Sequence, residues 1–304
     1  MADIAIPTSL LKELSPRARV FDARDSLSLA PERAADAHKG DCGHVVVWAG
    51  SSQTPGAAVL ALGGALRGGA GRVSWMTDRA TLAMSSPRPP EVMLRLLDDI
   101  TPDSWLEGAD AVVLGPGLSQ GASTQQILRQ LFESICVPVC LDADALNMIA
   151  SDPELWSSLP ASAVLTPHPK EMARLVGCTV HDVKGDPIGV AVDLAEKRQC
   201  SVVLKGAVTV VATPGEATTV FDNLCPALAT GGTGDVLAGL IGALLGQGLA
   251  SPRAAQLGVW VHNQAGQIAA QRHGVLGVIA SDVVTCIGAV WRDLDGARAN
   301  DDEK

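Results

Sequence analysis

The feature that most constrains this chain is an alternation of short apolar runs with helical patterns, in which glycine or polar residues follow most runs. The first run, 45–49, reads Val-Val-Val-Trp-Ala and is typical of a strand that is buried on both faces. Further strands are predicted at 72–76, 110–114, 137–141, 163–165 and 201–204. Strands that alternate with helices predict an α/β fold with a central, mostly parallel sheet and helices on both faces.

Helical patterns fill most of the intervals between these runs, for instance at 57–69, 121–132 and 187–199. We find no linker-like stretch, so residues 39–292 are predicted to form one domain. Residues 1–38 are expected to be an N-terminal segment with a helix near 8–14 that packs on the body. The charged tail 293–304 is expected to be disordered.

Composition excludes several function classes. The 304 residues are 47% hydrophobic and 18% charged, which indicates a globular chain. A net charge of −10 argues against nonspecific binding to nucleic acid or to a membrane surface. Tyrosine is absent and there are only 3 phenylalanines, so stacking on nucleic-acid bases is not expected as the main binding mode.

The location of the protein is expected to be cytoplasmic. The N-terminus lacks a basic region followed by an apolar one, and the longest apolar run is too short to span a bilayer. The 7 cysteines contain no Cys-x-x-Cys pair and no spacing typical of a zinc site. Reduced cysteines in a reducing compartment are the simplest interpretation.

An anion site is predicted in the glycine-rich stretch 229–241. Gly231, Gly232 and Gly234 precede an apolar helical pattern, for which Thr233 is the predicted N-cap. Glycines let backbone amides turn toward one point, and a helix N-terminus adds positive partial charge there. These features are typical of a phosphate site.

Asp235 is unexpected in a phosphate cradle, because a carboxylate repels phosphate. One interpretation is that it accepts the proton of a hydroxyl as that oxygen attacks phosphorus. The other is that it only complements the helix dipole in the first turn. The stretch alone leaves both open.

Other polar and glycine residues also follow predicted strands. They are Gly56, Gly117, Asp142, Asp144, His168 and Lys205. The carboxyl ends of parallel strands form the ligand-binding edge of an open α/β sheet. We therefore expect these residues to converge with Gly234 and Asp235.

Each of these residues also has a structural interpretation. His168, between two prolines, could contact a ligand or bond to the backbone of its own loop. Lys205 could meet a phosphate or be a solvated strand end. Asp142 and Asp144 point to opposite faces of an extended segment, so at most one faces the site; either could hold Mg²⁺ through water or act as a helix N-cap.

Two common nucleotide-binding motifs do not fit. In Gly115-Pro116-Gly117 the third glycine of a dinucleotide fingerprint falls at 121, one place late. A Gly-x4-Gly-Lys-Ser/Thr sequence does not occur, which excludes the P-loop class.

Taken together, the motifs resemble those of the ADP/ATP-dependent NAD(P)H-hydrate dehydratases, a branch of the ribokinase-like superfamily. The resemblance runs from about residue 39 to about 290. The matching stretches are KGDCGHVVVWAGS (39–51) followed by PGAAVLA, LGPGL (114–118), LDADALN (141–147), LTPHPKEMARL (165–175), VLKGA (203–207) and TGGTGDVLAGLIGALL (230–245). The sequence departs from the usual pattern at Asn223-Leu224-Cys225-Pro226 and at Lys170, which concerns local loop shape.

The resemblance implies a ribokinase-like three-layer fold and an ADP-dependent repair reaction. The S form of hydrated NADH or NADPH would be returned to NADH or NADPH, giving AMP and phosphate. Mg²⁺ is implied, ADP is favoured over ATP as the phosphoryl donor, and a homotetramer is expected. Because 38 residues cannot house the epimerase domain that many relatives carry, a separate NAD(P)H-hydrate epimerase is the expected functional partner.

The resemblance also assigns residues motif by motif. The hydrated dinucleotide would contact Ala57, Gly117, His168 and Asp235. The adenine nucleotide would be held by Lys205, Gly206, Ala207, Val208, Thr209 and Gly234. Asp235 would be the catalytic base, and no metal ligands are assigned.

Two other functions remain open from the sequence. One is a small-molecule kinase of the same fold that phosphorylates an alcohol such as a vitamin precursor. The other is a non-catalytic nucleotide-binding module, although pure binding gains nothing from Asp235 beside an anion site.

Overall fold

The computed structural model describes residues 16–85, 88–222 and 224–302. The helix predicted near 8–14 and the departure at Asn223 lie outside the described residues. The strands are β1 (Arg19–Val20), β2 (His44–Trp48), β3 (Arg72–Thr77), β4 (Met93–Leu96), β5 (Ala111–Leu114), β6 (Val139–Leu141), β7 (Ala163–Leu165), β8 (Ser201–Leu204), β9 (Thr209–Ala212) and β10 (Thr219–Phe221).

The helices fall between and after these strands. They are α1 (Ala23–Leu29), α2 (Pro55–Arg67), α3 (Arg79–Met84), α4 (Ala122–Ser134), α5 (Ala143–Ser151), α6 (Pro153–Ser157), α7 (Pro169–Val176), α8 (Val180–Gly185), α9 (Pro187–Arg198), α10 (Thr233–Gly246), α11 (Ser251–His273) and α12 (Ala280–Asp302). Among these helices none is both long and apolar enough to cross a membrane.

The strands form one sheet in the order β1-β10-β9-β8-β7-β6-β5-β2-β3-β4. Strands β2 to β8 run parallel, whereas β9 is antiparallel to both of its neighbours. The predicted mostly parallel sheet is therefore confirmed. Its parallel part places the carboxyl ends of β2, β5, β6, β7 and β8 side by side along one edge.

Helices cover both faces of the sheet, which gives three layers. Alternate residues of β2 serve opposite cores because side chains alternate along a strand. Val45 and Val47 pack with α2, α10, α11 and α12, while Val46 and Trp48 pack with α4, α5, α7 and α9. The full burial of the 45–49 run follows from this position between two helical layers.

Several elements were not predicted individually. Strands β4, β9, β10 and β1 are short and lie toward the two sides of the sheet, where the apolar signal is weaker. β1 pairs with β10, and α1 follows it, so residues 19–29 belong to the same body as the domain expected to begin at residue 39.

The C-terminal tail differs from the expected disorder, because α12 continues to Asp302. Two contacts explain why its charged sequence remains helical. Leu294 is buried against the core, and Arg298 donates from Nη2 to the carbonyl oxygens of Ala30 (2.7 Å) and Leu27 (3.3 Å). A surface helix of this kind needs only one apolar stripe.

Candidate active site

The turn that leads into α10 is closed by Gly232. Its φ of 92° lies in the left-handed region, which glycine adopts without strain. Gly232 is the N-cap, so the prediction that Thr233 is the N-cap is wrong. Thr233 is the first helical residue, and its Oγ1 donates backwards to the carbonyl oxygens of Leu228 (2.9 Å) and Thr230 (3.0 Å).

A buried polar cluster lies beside this turn. Lys205 Nζ is 2.6 Å from Asp142 Oδ1, and Thr166 Oγ1 donates to the same oxygen over 2.7 Å. A Cβ atom on Gly234 would lie 3.3 Å from Lys205 Nζ and 3.8 Å from Asp142 Oδ2. The ammonium group therefore lies close to Gly234 in the turn 231–234, here called the anion turn, where a phosphoryl group would meet it.

Of the two aspartates that follow β6, Asp142 is the one in this cluster. It stands at the N-cap position of α5, but its side chain makes no capping hydrogen bond. Asp144 instead accepts from Ser119 N (2.9 Å) and Gln120 Nε2 (2.8 Å). The structure thus brings Asp142 into the cluster, whereas Asp144 lies in the first turn of α5 and not in the extended segment expected from the sequence.

Asp235 occupies the first turn of α10 and is partly buried. Burial, followed by the negative charge of Asp142, raises the pKa of Asp235 to about 7, while Lys205 acts in the opposite direction. A carboxyl group with a pKa near neutrality can both take up and release a proton under physiological conditions. If Asp235 only complemented the helix dipole, it would not need to be partly buried beside the carboxylate of Asp142.

Lys205 remains cationic in this cluster. Burial opposes its charge, but the carboxylates of Asp142 and Glu171 outweigh that effect and raise the pKa of Lys205. The alternative of a solvated strand end does not fit, since the ammonium is paired with a carboxylate that is itself 1% exposed.

His168 begins α7 and is held by its own loop. Its Nδ1 accepts from the amides of Lys170 (3.0 Å) and Glu171 (3.2 Å), and its own amide donates to Glu171 Oε2 over 2.8 Å. The hydrogen bonds assign the proton of the neutral ring to Nε2, which is 3.3 Å from Glu171 Oε1. Burial, and then the charge of Lys205, lowers the pKa of His168, which keeps the ring neutral.

A cavity of about 520 Å³ opens in front of Lys205. Its rim includes Lys205, Gly206, Ala207, Thr209 and Gly234, five of the six residues assigned to the adenine nucleotide, together with His168. Val208, the sixth, is 43% exposed and is not among the lining residues.

Most of the remaining cavity wall is apolar. It is formed by residues that the sequence did not single out as ligand contacts: Phe221, Leu224, Cys225, Pro226, Leu228, Ala229, Leu237 and Val259. A mainly apolar lining with a few polar groups is typical of a small-molecule site. The departure at Leu224-Cys225-Pro226 thus falls in this wall.

His262 is a further residue that sequence reasoning missed. It lies on α11, is buried, and its Nε2 is 2.8 Å from the carbonyl oxygen of Thr233. Burial lowers the pKa of His262 to about 4, so the neutral ring donates this hydrogen bond near pH 7. A single histidine inside a long helical pattern carries no sequence signal of such a contact.

Ala57, in the first turn of α2, and Gly117, in the loop after β5, lie together. A Cβ atom on Gly117, whose φ is 62°, would come within 2.7 Å of the Ala57 Cβ. Thr54 Oγ1 donates to the Gly117 carbonyl (2.8 Å), and Gly50 N donates to the Pro116 carbonyl (2.7 Å). These bonds fasten the two loops, which also border a second cavity of about 430 Å³.

In the part of the chain that the structure describes, no group of three or more histidine, cysteine, aspartate or glutamate side chains is arranged to hold a metal ion. The cysteines are all free thiols. An ion that enters with the phosphates of a nucleotide would not need such a group.

Comparison with known proteins adds a family to this geometry. The family model described as NAD(P)H-hydrate dehydratase matches residues 45–288. The chain is 37% identical to the ADP-dependent (S)-NAD(P)H-hydrate dehydratase of Neisseria meningitidis, over 83% of the chain and 86% of the relative. It is 36% identical to the bifunctional NAD(P)H-hydrate repair enzyme of Moorella thermoacetica, over 97% of the chain but only 58% of the relative.

Solved structures agree with the fold. The ADP/ATP-dependent NAD(P)H-hydrate dehydratase from Bacillus subtilis, co-crystallised with ATP and Mg²⁺, superposes with a TM-score of 0.81. It is 30% identical, and the match covers 91% of this chain and 99% of the Bacillus chain. A ribokinase-like superfamily protein from Enterococcus faecalis, at 23% identity and a TM-score of 0.83, shares the fold. The predicted ribokinase-like fold is therefore confirmed.

Proposed function

The chain belongs to the NAD(P)H-hydrate dehydratase family, and we propose that it uses ADP to dehydrate the S form of hydrated NADH or NADPH. The products would be NADH or NADPH, AMP and phosphate. The observation that carries the proposal is the position of Asp235, a carboxyl group whose pKa is raised to about 7, directly after Gly234 and beside the partly buried Asp142–Lys205 pair.

The nucleotide would occupy the cavity of about 520 Å³. Its adenosine part suits the apolar wall, and its terminal phosphoryl group would meet Lys205 and the amides of the turn at 231–234. Ala57, Gly117 and His168 would contact the dinucleotide, and Asp235 would stand between the two ligands.

The chemistry balances in two steps. Asp235 accepts the proton of the hydrate hydroxyl while that oxygen attacks the terminal phosphorus, and the bond from phosphorus to AMP breaks. The ring nitrogen lone pair then expels the phosphorylated oxygen as phosphate, and the resulting iminium ion loses a proton from the adjacent ring carbon to solvent, which restores the dihydronicotinamide. Phosphate is a far better leaving group than hydroxide, whose conjugate acid, water, has a pKa of about 15.7.

Mg²⁺ would enter bound to the nucleotide. This ion is usually held by substrate phosphates, water and at most one or two carboxylates, and the described residues offer no closed metal site. When bound it would neutralise charge on the transferring phosphoryl group. None of the roles proposed here for a side chain requires that side chain to bind the metal ion.

We also propose a functional partner, a cellular location and an oligomeric state. Relatives named as bifunctional repair enzymes match this chain over about half of their length, which supports an NAD(P)H-hydrate epimerase as the functional partner. Free cysteines are in keeping with a cytoplasmic location. The family resemblance favours a homotetramer, which sedimentation analysis of the purified chain would test.

The proposed function is tested with NADH hydrate, ADP and Mg²⁺. We expect NADH to be recovered with one AMP formed per NADH, and no recovery when either the nucleotide or the metal is omitted. Full recovery without them would overturn the coupled mechanism. Accumulation of a phosphorylated alcohol would instead indicate a small-molecule kinase of the same fold.

A further inference from the structure

Asp142 is a buried carboxylate for which the proposed reaction has no assigned role. Its Oδ1 receives two donors, Thr166 Oγ1 at 2.7 Å and Lys205 Nζ at 2.6 Å. Asp142 is 1% exposed and Thr166 is fully buried. A buried carboxylate bound by two donors is held in one orientation and transmits its charge through a medium of low polarity.

The contacts follow from the order of the strands. Asp142, Thr166 and Lys205 come directly after β6, β7 and β8, which are neighbours in the sheet. Their carboxyl ends bring the three side chains together beneath the anion turn. A Cβ atom added to Gly234, the residue before Asp235, would lie 3.3 Å from Lys205 Nζ and 3.8 Å from Asp142 Oδ2, so both charged groups stand next to this turn.

We propose that Asp142 is a positioning residue for phosphoryl transfer, which holds the Lys205 ammonium beside Gly234 and controls the charge state of Asp235. This inference rests on the proposed function, because the charge state of Asp235 matters for turnover only if Asp235 is the base.

The charges that face Asp235 come from several elements. After burial, Asp142 has the largest effect on its pKa, ahead of Lys205, which opposes it. Glu171 on α7 and Asp144 on α5 act in the same direction as Asp142 but more weakly. Together these groups raise the pKa of Asp235 to about 7.

The two histidines near the turn do not disturb this balance. Burial lowers the pKa of His168 and lowers that of His262 to about 4, so both rings are neutral when Asp235 ionises. The carboxylates and Lys205 are therefore the groups whose charge sets the titration of Asp235.

Removal of the Asp142 charge should lower the pKa of Asp235. In Asp142→Asn the like charge disappears, and Lys205 is left free to approach the remaining carboxylates. Both changes favour the ionised form of Asp235, so its pKa falls by roughly one to two pH units. A weaker base also accepts a proton less readily, so turnover on the alkaline plateau falls as well.

The direct test is an NMR titration of isotope-labelled aspartate carboxyl groups in the full chain without ligands. The Asp235 signal is assigned by its loss in Asp235→Asn. We expect a midpoint near pH 7 in the wild type and a midpoint lower by roughly one to two pH units in Asp142→Asn. Asp144→Asn is the matched control, because it removes one negative charge from the first turn of α5. In this variant the Asp235 midpoint should move less than in Asp142→Asn, since Asp144 has the weaker effect on Asp235.

A midpoint in Asp142→Asn equal to that of the wild type, or equal shifts in both variants, would overturn the proposal. If Asp142→Asn does not fold, the double variant Asp142→Asn/Lys205→Met removes the pair together and leaves no uncompensated buried charge. Its midpoint should lie below that of the wild type, because Asp142 affects Asp235 more than Lys205 does. An unchanged or higher midpoint in that protein also contradicts the inference.

The pH profile of kcat/KM links this inference to turnover. The acidic limb should move down with the NMR midpoint in Asp142→Asn, whereas a purely structural role would lower the rate without moving the limb. The NMR result does not depend on the hydrate. A shifted titration in a protein that does not dehydrate NADH hydrate would refute only the proposed function, and normal turnover without the shift would refute only the role of Asp142.

Discussion

The proposed nucleotide side of the site, at Lys205, and the proposed dinucleotide side, at Ala57 and Gly117, are built differently. On the proposed nucleotide side, side chains supply the available contacts: a lysine beside the turn and the mainly apolar lining of a cavity of about 520 Å³. At Ala57 and Gly117, two loops meet so closely that even a methyl group on Gly117 would collide, so a ligand bound there would meet backbone and not long side chains.

This difference teaches how one turn can serve two ligands. A phosphate group is bound by charge and amides, and a lysine can supply that charge from a distance. A ring that must bring its hydroxyl next to the phosphoryl group requires space and a fixed backbone instead. Substitutions on the two sides should therefore affect different ligands.

The largest effect is expected for Asp235→Asn, at the boundary between the two sides. Turnover should fall by about 10²–10⁴-fold, because the proton acceptor is lost, while ADP affinity is retained. Steady-state kinetics and calorimetry measure the two quantities. Asp144→Asn, in the first turn of α5, is the matched control and should keep most of the turnover. Undiminished turnover in Asp235→Asn would sink the assignment of the base.

The next largest effect is expected for Lys205→Met on the nucleotide side. Loss of the cation and an unpaired Asp142 should weaken ADP binding by about ten- to hundred-fold. Hydrate affinity should change much less. Calorimetric titrations with each ligand separate these effects, and equal losses for both would break the contrast between the two sides.

A smaller effect is expected for Gly117→Ala, and it should concern the hydrate and not ADP. The left-handed φ of 62° and the approach of the Ala57 Cβ to 2.7 Å should distort the loop. We expect kcat/KM for the hydrate to fall about ten-fold and the free energy of unfolding to fall by about 1–2 kcal/mol, with ADP affinity unchanged. Gly121→Ala is the control in the same loop, since no atom comes closer than 3.9 Å to a Cβ there.

The smallest effect is expected for His168→Ala, which should weaken hydrate binding more than ADP binding, by roughly three- to ten-fold. The substitution also removes the cap of α7, so a loss of about 1 kcal/mol in unfolding free energy should accompany it. His168→Asn restores a cap acceptor without the ring and separates the two roles. Calorimetry that finds ADP binding weakened more than hydrate binding would contradict the assignment, and it would place His168 with the nucleotide-cavity residues that it adjoins.

Much of this site could be predicted from the sequence because its residues directly follow strands. Lys205 after β8 and Asp235 after the glycine turn stand in local patterns whose meaning does not depend on the rest of the chain. The mostly parallel sheet could be predicted for the same reason, since buried central strands carry continuous apolar runs.

The remaining features depend on contacts between distant segments. The Asp142–Lys205 pair joins residues 63 positions apart, and only the sheet order places them together. His262 and the wall at 224–229 reach the cavity through packing of α11, which no local pattern reveals. The sequence favours Thr233 as the N-cap because threonine is a common cap, whereas the positive φ of Gly232 makes Gly232 the cap.

In the proposed reaction, the hydroxyl oxygen of the hydrate attacks the terminal phosphorus of ADP beside Asp235. NADH hydrate whose hydroxyl carries a heavy oxygen isotope tests this directly. After conversion with ADP and Mg²⁺, we predict that the isotope is found in the released phosphate, one labelled oxygen per NADH formed. Label released into water instead, with unlabelled phosphate, would contradict the phosphoryl-transfer mechanism.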